Sequence, residues 1–163
     1  MIIGSNLENQ EIEKRIAITP EIVKKYISLG FEINLIHNYG VHIGFQDSNY
    51  EKLGAKIIFD EKDLINNSDI IIQIRLPNDN YLSLIKENKT IIGSLDININ
   101  KEKLKNLLNK KINIFSLDLL PRITRAQSMD ILSSQANLAG YKAVVESFAN
   151  FEKAIPMMMT AAG

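Results

Sequence analysis

The sequence predicts an α/β fold with a doubly wound, largely parallel sheet, helices on both faces, and a long C-terminal helix. Three observations support this. Short apolar, β-branched runs alternate with segments of helical period. Runs such as Ile70-Ile71-Ile72 are apolar at consecutive positions, as a strand covered on both faces requires. The 163 residues suffice for one compact domain, and 45% hydrophobic with 23% charged residues is a globular balance rather than a disordered one.

The strands are expected at Met1–Gly4, Phe31–His37, Ala55–Phe59, Asp69–Arg75, Thr90–Leu95 and Ile112–Asp118. Helices are expected between them at Pro20–Leu29, near Ser48–Leu53, and at Asp60–Asn66, Tyr81–Glu87 and Lys101–Leu108. The first helix carries its own boundaries. Thr19 can cap the free amides, Pro20 suits the first helical position, and Gly30 suits a left-handed stop. Ile22, Val23, Tyr26 and Ile27 then form its apolar stripe. After Asp118 the pattern changes. A loop containing Pro121 leads into a long helix with Leu138, Tyr141, Val145 and Phe148 at spacings of three and four, which Pro156 is expected to end or bend. One domain over residues 1–163 is expected, with no repeat and no flexible linker.

Composition narrows the function. Nineteen basic residues balance nineteen acidic ones, so there is no basic face for nucleic acid or a membrane surface. Without cysteine there is no disulfide framework, thiolate nucleophile or zinc knuckle, which fits a reducing cytoplasm. The N-terminus lacks the basic start and apolar core of a signal peptide. No apolar run approaches the roughly 20 residues that span a bilayer. The nearest, Ala154–Ala162, is short and interrupted by Pro156. A soluble chain is expected.

The eight glycines never form G-x-G-x-x-G after a strand, and no P-loop is present. His37 and His42 have no nearby ligand set, so no metal site is expected. The unusual segment runs from Pro121 to Ser134. It follows a strand, which places it at the carboxyl edge of an open sheet, where ligands collect. It is dense in hydrogen-bonding groups: Arg122, Arg125, Gln127, Asp130, Ser133 and Ser134. From the residues alone, it reads equally as a ligand loop or as a capped helix start with an Arg–Asp surface pair. If helix begins at Ser128, Asp130 and Ser133 share a face.

Arg122-Ile123-Thr124-Arg125-Ala126-Gln127-Ser128-Met129-Asp130, continuing from Ser133 through Val144, resembles the signature loop and helix of the NAD-side (alpha) subunit of proton-translocating transhydrogenases. Glu8, Glu13 and Arg15-Ile16-Ala17-Ile18-Thr19-Pro20 match as well, in a motif shared with alanine dehydrogenases. The resemblance implies an N-terminal domain of the alanine dehydrogenase/transhydrogenase family. An NAD-binding Rossmann domain would follow Gly163, where this chain ends.

The resemblance further implies that the complete enzyme moves hydride between NAD(H) and NADP(H), coupled to proton translocation. NADP(H) would sit on a partner component, and membrane components would tether the protein peripherally on the cytoplasmic side of the inner membrane. Gln127 would contact the nicotinamide ribose, while Arg122, Asp130 and Ser133 would hold the carboxamide and the loop. Gln127, Arg122 and Asp130 are thus the expected catalytic residues, and those three with Ser133 the expected cofactor-binding set. The isolated chain would be inactive. A homo-oligomer is expected, with Met157, Met158 and Met159 as its sticky segment.

Two alternatives stand beside this. One is a fragment of an alanine dehydrogenase-like enzyme. That family places lysine near Gln73 and a catalytic histidine near Asp96, and a carboxylate at the second position would repel a carboxylate substrate. The other is a non-enzymatic assembly module.

Overall fold

The apolar runs come together side by side. In the computed structural model, which describes residues 1–153, six strands form one sheet: β1 (Ile2–Ser5), β2 (Glu32–Ile36), β3 (Lys56–Ile58), β4 (Ile70–Ile72), β5 (Thr90–Gly93) and β6 (Asn113–Ser116). Their order is β3-β2-β1-β4-β5-β6, and every pairing is parallel. The helices α1 (Pro20–Ser28), α2 (Asp47–Glu51), α3 (Glu61–Asn66), α4 (Asp79–Leu84) and α5 (Ile97–Asn109) provide the crossovers. The last helix, α6 (Ile131–Ala149), follows the loop. By its internal packing the chain forms two compact units, Met1–Leu120 and Pro121–Gly163. The methionines at 157–159 lie outside the described residues.

In the first unit, α1 starts and stops as its sequence dictates. Thr19 Oγ1 accepts from the Ile22 amide at 3.4 Å, Pro20 opens the helix, and Gly30 follows at φ +86°. Asp60 caps α3 through the amides of Lys62 and Asp63, at 2.8 and 3.0 Å. Asn78 caps α4 through the Tyr81 amide at 2.9 Å, so that helix begins at Asp79, ahead of the predicted Tyr81.

The core lies on both sides of the sheet. Ile3, Ile33 and Leu35 pack with Ile18 and Val23, while Ile71 and Ile91, both fully buried and paired in register, pack with Leu82, Leu104 and Leu107. Burying each such side chain contributes about 1.5–3 kcal/mol. Two further boundaries move. β4 stops at Ile72, short of the predicted Arg75: Gln73 N still donates to the Ile92 carbonyl at 3.0 Å, but the two amides after it turn to Glu8, Ile74 N to Oε1 at 2.5 Å and Arg75 N to Oε2 at 3.4 Å. α5 starts at Ile97 rather than Lys101, with Asp96 at φ +47° turning the chain and Asn100 marking a kink where its side chain donates to the Leu95 carbonyl at 2.9 Å.

In the second unit a 3₁₀ turn, Thr124–Met129, precedes α6. The row Leu138, Tyr141, Val145 and Phe148 forms as predicted, and all four side chains are exposed. The helix ends at Ala149 rather than at Pro156. Asn150 caps it, its side-chain amide donating to the Glu146 carbonyl at 2.8 Å.

Candidate functional site

In the second unit, Pro121 and the 3₁₀ turn carry the loop to Asp130, which is the N-cap of α6. Its Oδ1 accepts from the amides of Leu132 and Ser133, each at 3.0 Å, and its Oδ2 from the Ser133 hydroxyl at 2.6 Å. These bonds, the Ser133 hydroxyl foremost, hold the Asp130 carboxyl below its usual range, and the Arg122 charge adds to them. Helix does not begin at Ser128. Asp130 and Ser133 meet as cap and first turn, not as neighbours on one helical face. Nor is there an Arg122–Asp130 ion pair among the described residues, because the cap uses the carboxylate.

Arg122, Gln127, Asp130 and Ser133, all predicted from sequence, line one cleft of about 310 Å³ together with Ile123 and Ala126. Arg125 lies outside it. Gln127 is exposed and its amide has no hydrogen-bond partner among the described residues, so it presents a free donor and a free acceptor. With the cap residue ionised and no histidine present, the cleft can position and hydrogen-bond a ligand but holds no general acid.

A second cleft, of about 330 Å³, belongs to the first unit. It lies at the carboxyl ends of β1 and β4, where the strand order reverses, and is lined by Asn6, Glu8, Glu13, Glu61, Gln73, Arg75 and Tyr81 among others. Glu13, its side chain 7% exposed, receives Arg15 at two points: Nη2 to Oε2 at 2.5 Å and Nε to Oε1 at 2.8 Å. Arg75 Nε stands 3.4 Å from the same carboxylate, and its Nη1 stands 3.3 Å from Asp96 Oδ2. The Arg15 hydrogen bond chiefly pulls the Glu13 carboxyl down to about 2. Burial pushes Glu8 the other way, up from its ordinary value, against the pull of the Ile74 and Arg75 amides. Sequence reading noted Glu8, Glu13 and Arg15 as a motif. It missed Glu61 and Tyr81, which come from separate helices and share no spacing pattern.

The two histidines have local partners. His37 Nδ1 lies 2.6 Å from Asp47 Oδ2 and its ring stacks on Phe59, while His42 Nε2 lies 2.8 Å from the Lys14 carbonyl oxygen. Among the described residues, no three His, Cys, Asp or Glu side chains come together to hold a metal, and no helix is long and apolar enough to cross a membrane.

The family model described as "Alanine dehydrogenase/PNT, N-terminal domain" matches residues 5–139. The chain is 39% identical to the first part of the NAD(P) transhydrogenase subunit alpha of Rhodospirillum rubrum, with 100% of this chain and 44% of that protein covered. The crystal structure of transhydrogenase from Sinorhizobium meliloti superposes with a TM-score of 0.88 at 39% identity, covering 100% of this chain and 48% of that one. Alanine dehydrogenase 1 of Staphylococcus aureus is more distant, 26% identical over 89% of this chain and 38% of that protein. The chain spans less than half the length of these relatives.

Proposed function

The chain belongs to the alanine dehydrogenase/PNT N-terminal domain family, and from that membership we propose that it is the N-terminal part of the NAD(H)-binding component of a nicotinamide nucleotide transhydrogenase. The complete enzyme transfers hydride between NAD(H) on the domain that follows and NADP(H) on a partner component. Membrane components couple the transfer to proton translocation and hold the protein at the cytoplasmic side of the membrane.

The observation that carries this reading is the free amide of Gln127 in a cleft shared with Arg122, Asp130 and Ser133. The bound nicotinamide supplies the hydride chemistry. The chain's own residues position it, and direct transfer depends on placing the reacting carbons rather than on an acid or base. Gln127 can donate to and accept from a ribose or carboxamide. Arg122 offers a planar fork, and the Asp130–Ser133 cap braces the end of the loop. These residues fit a nicotinamide nucleotide, which is rich in both donors and acceptors.

The amino-acid dehydrogenase alternative is less well supported. Gln73 is 3% exposed and neutral, its Oε1 accepting from the Asn6 amide at 2.8 Å, where that enzyme class needs a lysine. Asp96 pairs with Arg75 where it needs a histidine.

The test is a chimera. Residues 1–163 replace the matching part of the Rhodospirillum rubrum subunit, and the product is assayed for hydride transfer with its partner components. Transfer at a rate comparable to the parent supports the reading. A folded, NADH-binding chimera without transfer overturns it and leaves the assembly module.

A further inference from the structure

Between β1 and α1 the chain forms neither helix nor strand, and the stretch Glu8–Glu13 makes one wall of the cleft at the carboxyl ends of β1 and β4. Both ends of that stretch are anchored. On one side the Asn6 amide donates to Gln73 Oε1 at 2.8 Å, Asn6 Nδ2 donates to Glu61 Oε1 at 2.6 Å, and Leu7 packs against the core. On the other, His42 Nε2 lies 2.8 Å from the Lys14 carbonyl oxygen, and the Ala17 and Ile18 amides each donate to Tyr39 Oη at 3.1 Å.

Between the anchors the wall is held by charge rather than by packing. Its one hydrophobic side chain, Ile12, is 69% exposed, and its one buried residue is the charged Glu13. A segment that buries no apolar surface opens at far lower cost than the core beside it. Two carboxylates tie it to the loop between β4 and α4, and both land on the same pair of residues. Glu8 accepts from the Ile74 and Arg75 amides, and Glu13 Oε2 faces Arg75 Nε at 3.4 Å. Each charge in the second tie has another partner ready: Glu13 keeps Arg15, and Arg75 keeps Asp96 at 3.3 Å. Release therefore leaves neither charge bare, which removes the largest penalty for breaking a half-buried pair.

We propose that Glu8–Glu13 is a lid on this cleft, latched at Ile74 and Arg75, which swings out between its anchors at Leu7 and Lys14 while the sheet stays intact. The latch carboxylates stand at the two ends of one short segment, so they let go together, and loosening Glu13 loosens Glu8. A wall fixed by packing would behave otherwise, with the loss of one carboxylate felt only at its own partners. The lid does not rest on the Gln127 reading, which concerns the other unit.

Amide hydrogen exchange of the whole chain, read residue by residue by NMR, tests this. The Ile74 amide reports the latch, and the neighbouring Gln73 amide, bonded to the Ile92 carbonyl at 3.0 Å, reports the sheet. Ile74 should exchange about tenfold or more faster than Gln73. Glu13→Gln should widen that ratio by about another tenfold, although Glu8 and its bond to Ile74 are untouched. Asp96→Asn, which removes only the other partner of Arg75, should not widen it. Glu8→Ala frees the opposite end and should speed tryptic cleavage after Lys14 by about tenfold, which carries the test if Glu13→Gln does not fold. One common rate for Ile74 and Gln73, an unchanged ratio in Glu13→Gln, a widening in Asp96→Asn to match it, or unchanged cleavage in Glu8→Ala overturns the proposal.

Discussion

Ser133 returns its hydroxyl to Asp130: Oγ lies 2.6 Å from Oδ2, while the Ser133 amide donates to Oδ1 at 3.0 Å. Two bonds between the same residues close the first turn of α6 and give the Arg122–Gln127 loop a firm C-terminal anchor. The carboxylate predicted as a cofactor contact is thus first a helix cap, and any role toward a ligand is exercised from that fixed position.

Asp130→Ala should fray the start of α6 and lower helical circular dichroism, while Asp130→Asn, which keeps a side-chain acceptor, should preserve most of it. The Asp130 carboxyl is depressed below 3.8 in the folded chain. Its advantage over asparagine should therefore be complete above that pH and vanish as the pH falls through the depressed value. Equal helicity in all three proteins would remove the cap from the account of the loop.

Gln127→Asn in the restored full-length enzyme keeps the amide and shortens its reach by one methylene. A misplacement of about 1 Å can cost on the order of 100-fold in transfer rate. Single-turnover stopped flow should show such a fall, with little change in the NADH dissociation constant. A parental transfer rate would reduce the loop to a capped surface turn.

Glu13→Gln should destabilise the first unit at neutral pH by about 1–2 kcal/mol, a value discounted because Arg15 is half exposed. The folded carboxyl sits near 2 against an ordinary 4.5. Its contribution is present above 4.5 and lost as the pH falls toward 2, so the melting curves of parent and variant should converge at the acid end. A gap that persists unchanged at low pH would point to packing rather than charge.

Two glycines should respond oppositely to alanine. At Gly93 a Cβ would lie 2.2 Å from the Gln73 carbonyl oxygen, forcing β4 and β5 apart, and the cost should be about 1–3 kcal/mol. At Gly140, inside α6, a Cβ meets nothing within 4 Å, and alanine should stabilise the helix by about 0.5–1 kcal/mol. Thermal melts of the two variants check both signs.

The six strands and the cap at Thr19 were legible because each rests on local chemistry: apolar runs, a side-chain oxygen before a helix, a glycine after it. Of the boundaries that moved, one was set by a distant partner. β4 stops where Glu8, 66 residues earlier in the chain, takes the Ile74 amide, and no window centred on Ile74 contains that carboxylate. The loop cleft was legible for the opposite reason, since its six lining residues fall within one short stretch between Arg122 and Ser133.

By itself, the sequence determined the strand and helix order, the parallel pairing implied by runs apolar on both faces, and the loop holding Gln127, because each is written in neighbouring residues. Only the tertiary structure decided the strand order that opens a cleft between β1 and β4, and the company Tyr81 keeps there. Glu8 follows one strand, Glu61 starts a helix after another, and Tyr81 lies on a third element. Parallel pairing brings the ends of β1 and β4 together, and burial leaves the phenol with no hydrogen-bond partner among the described residues.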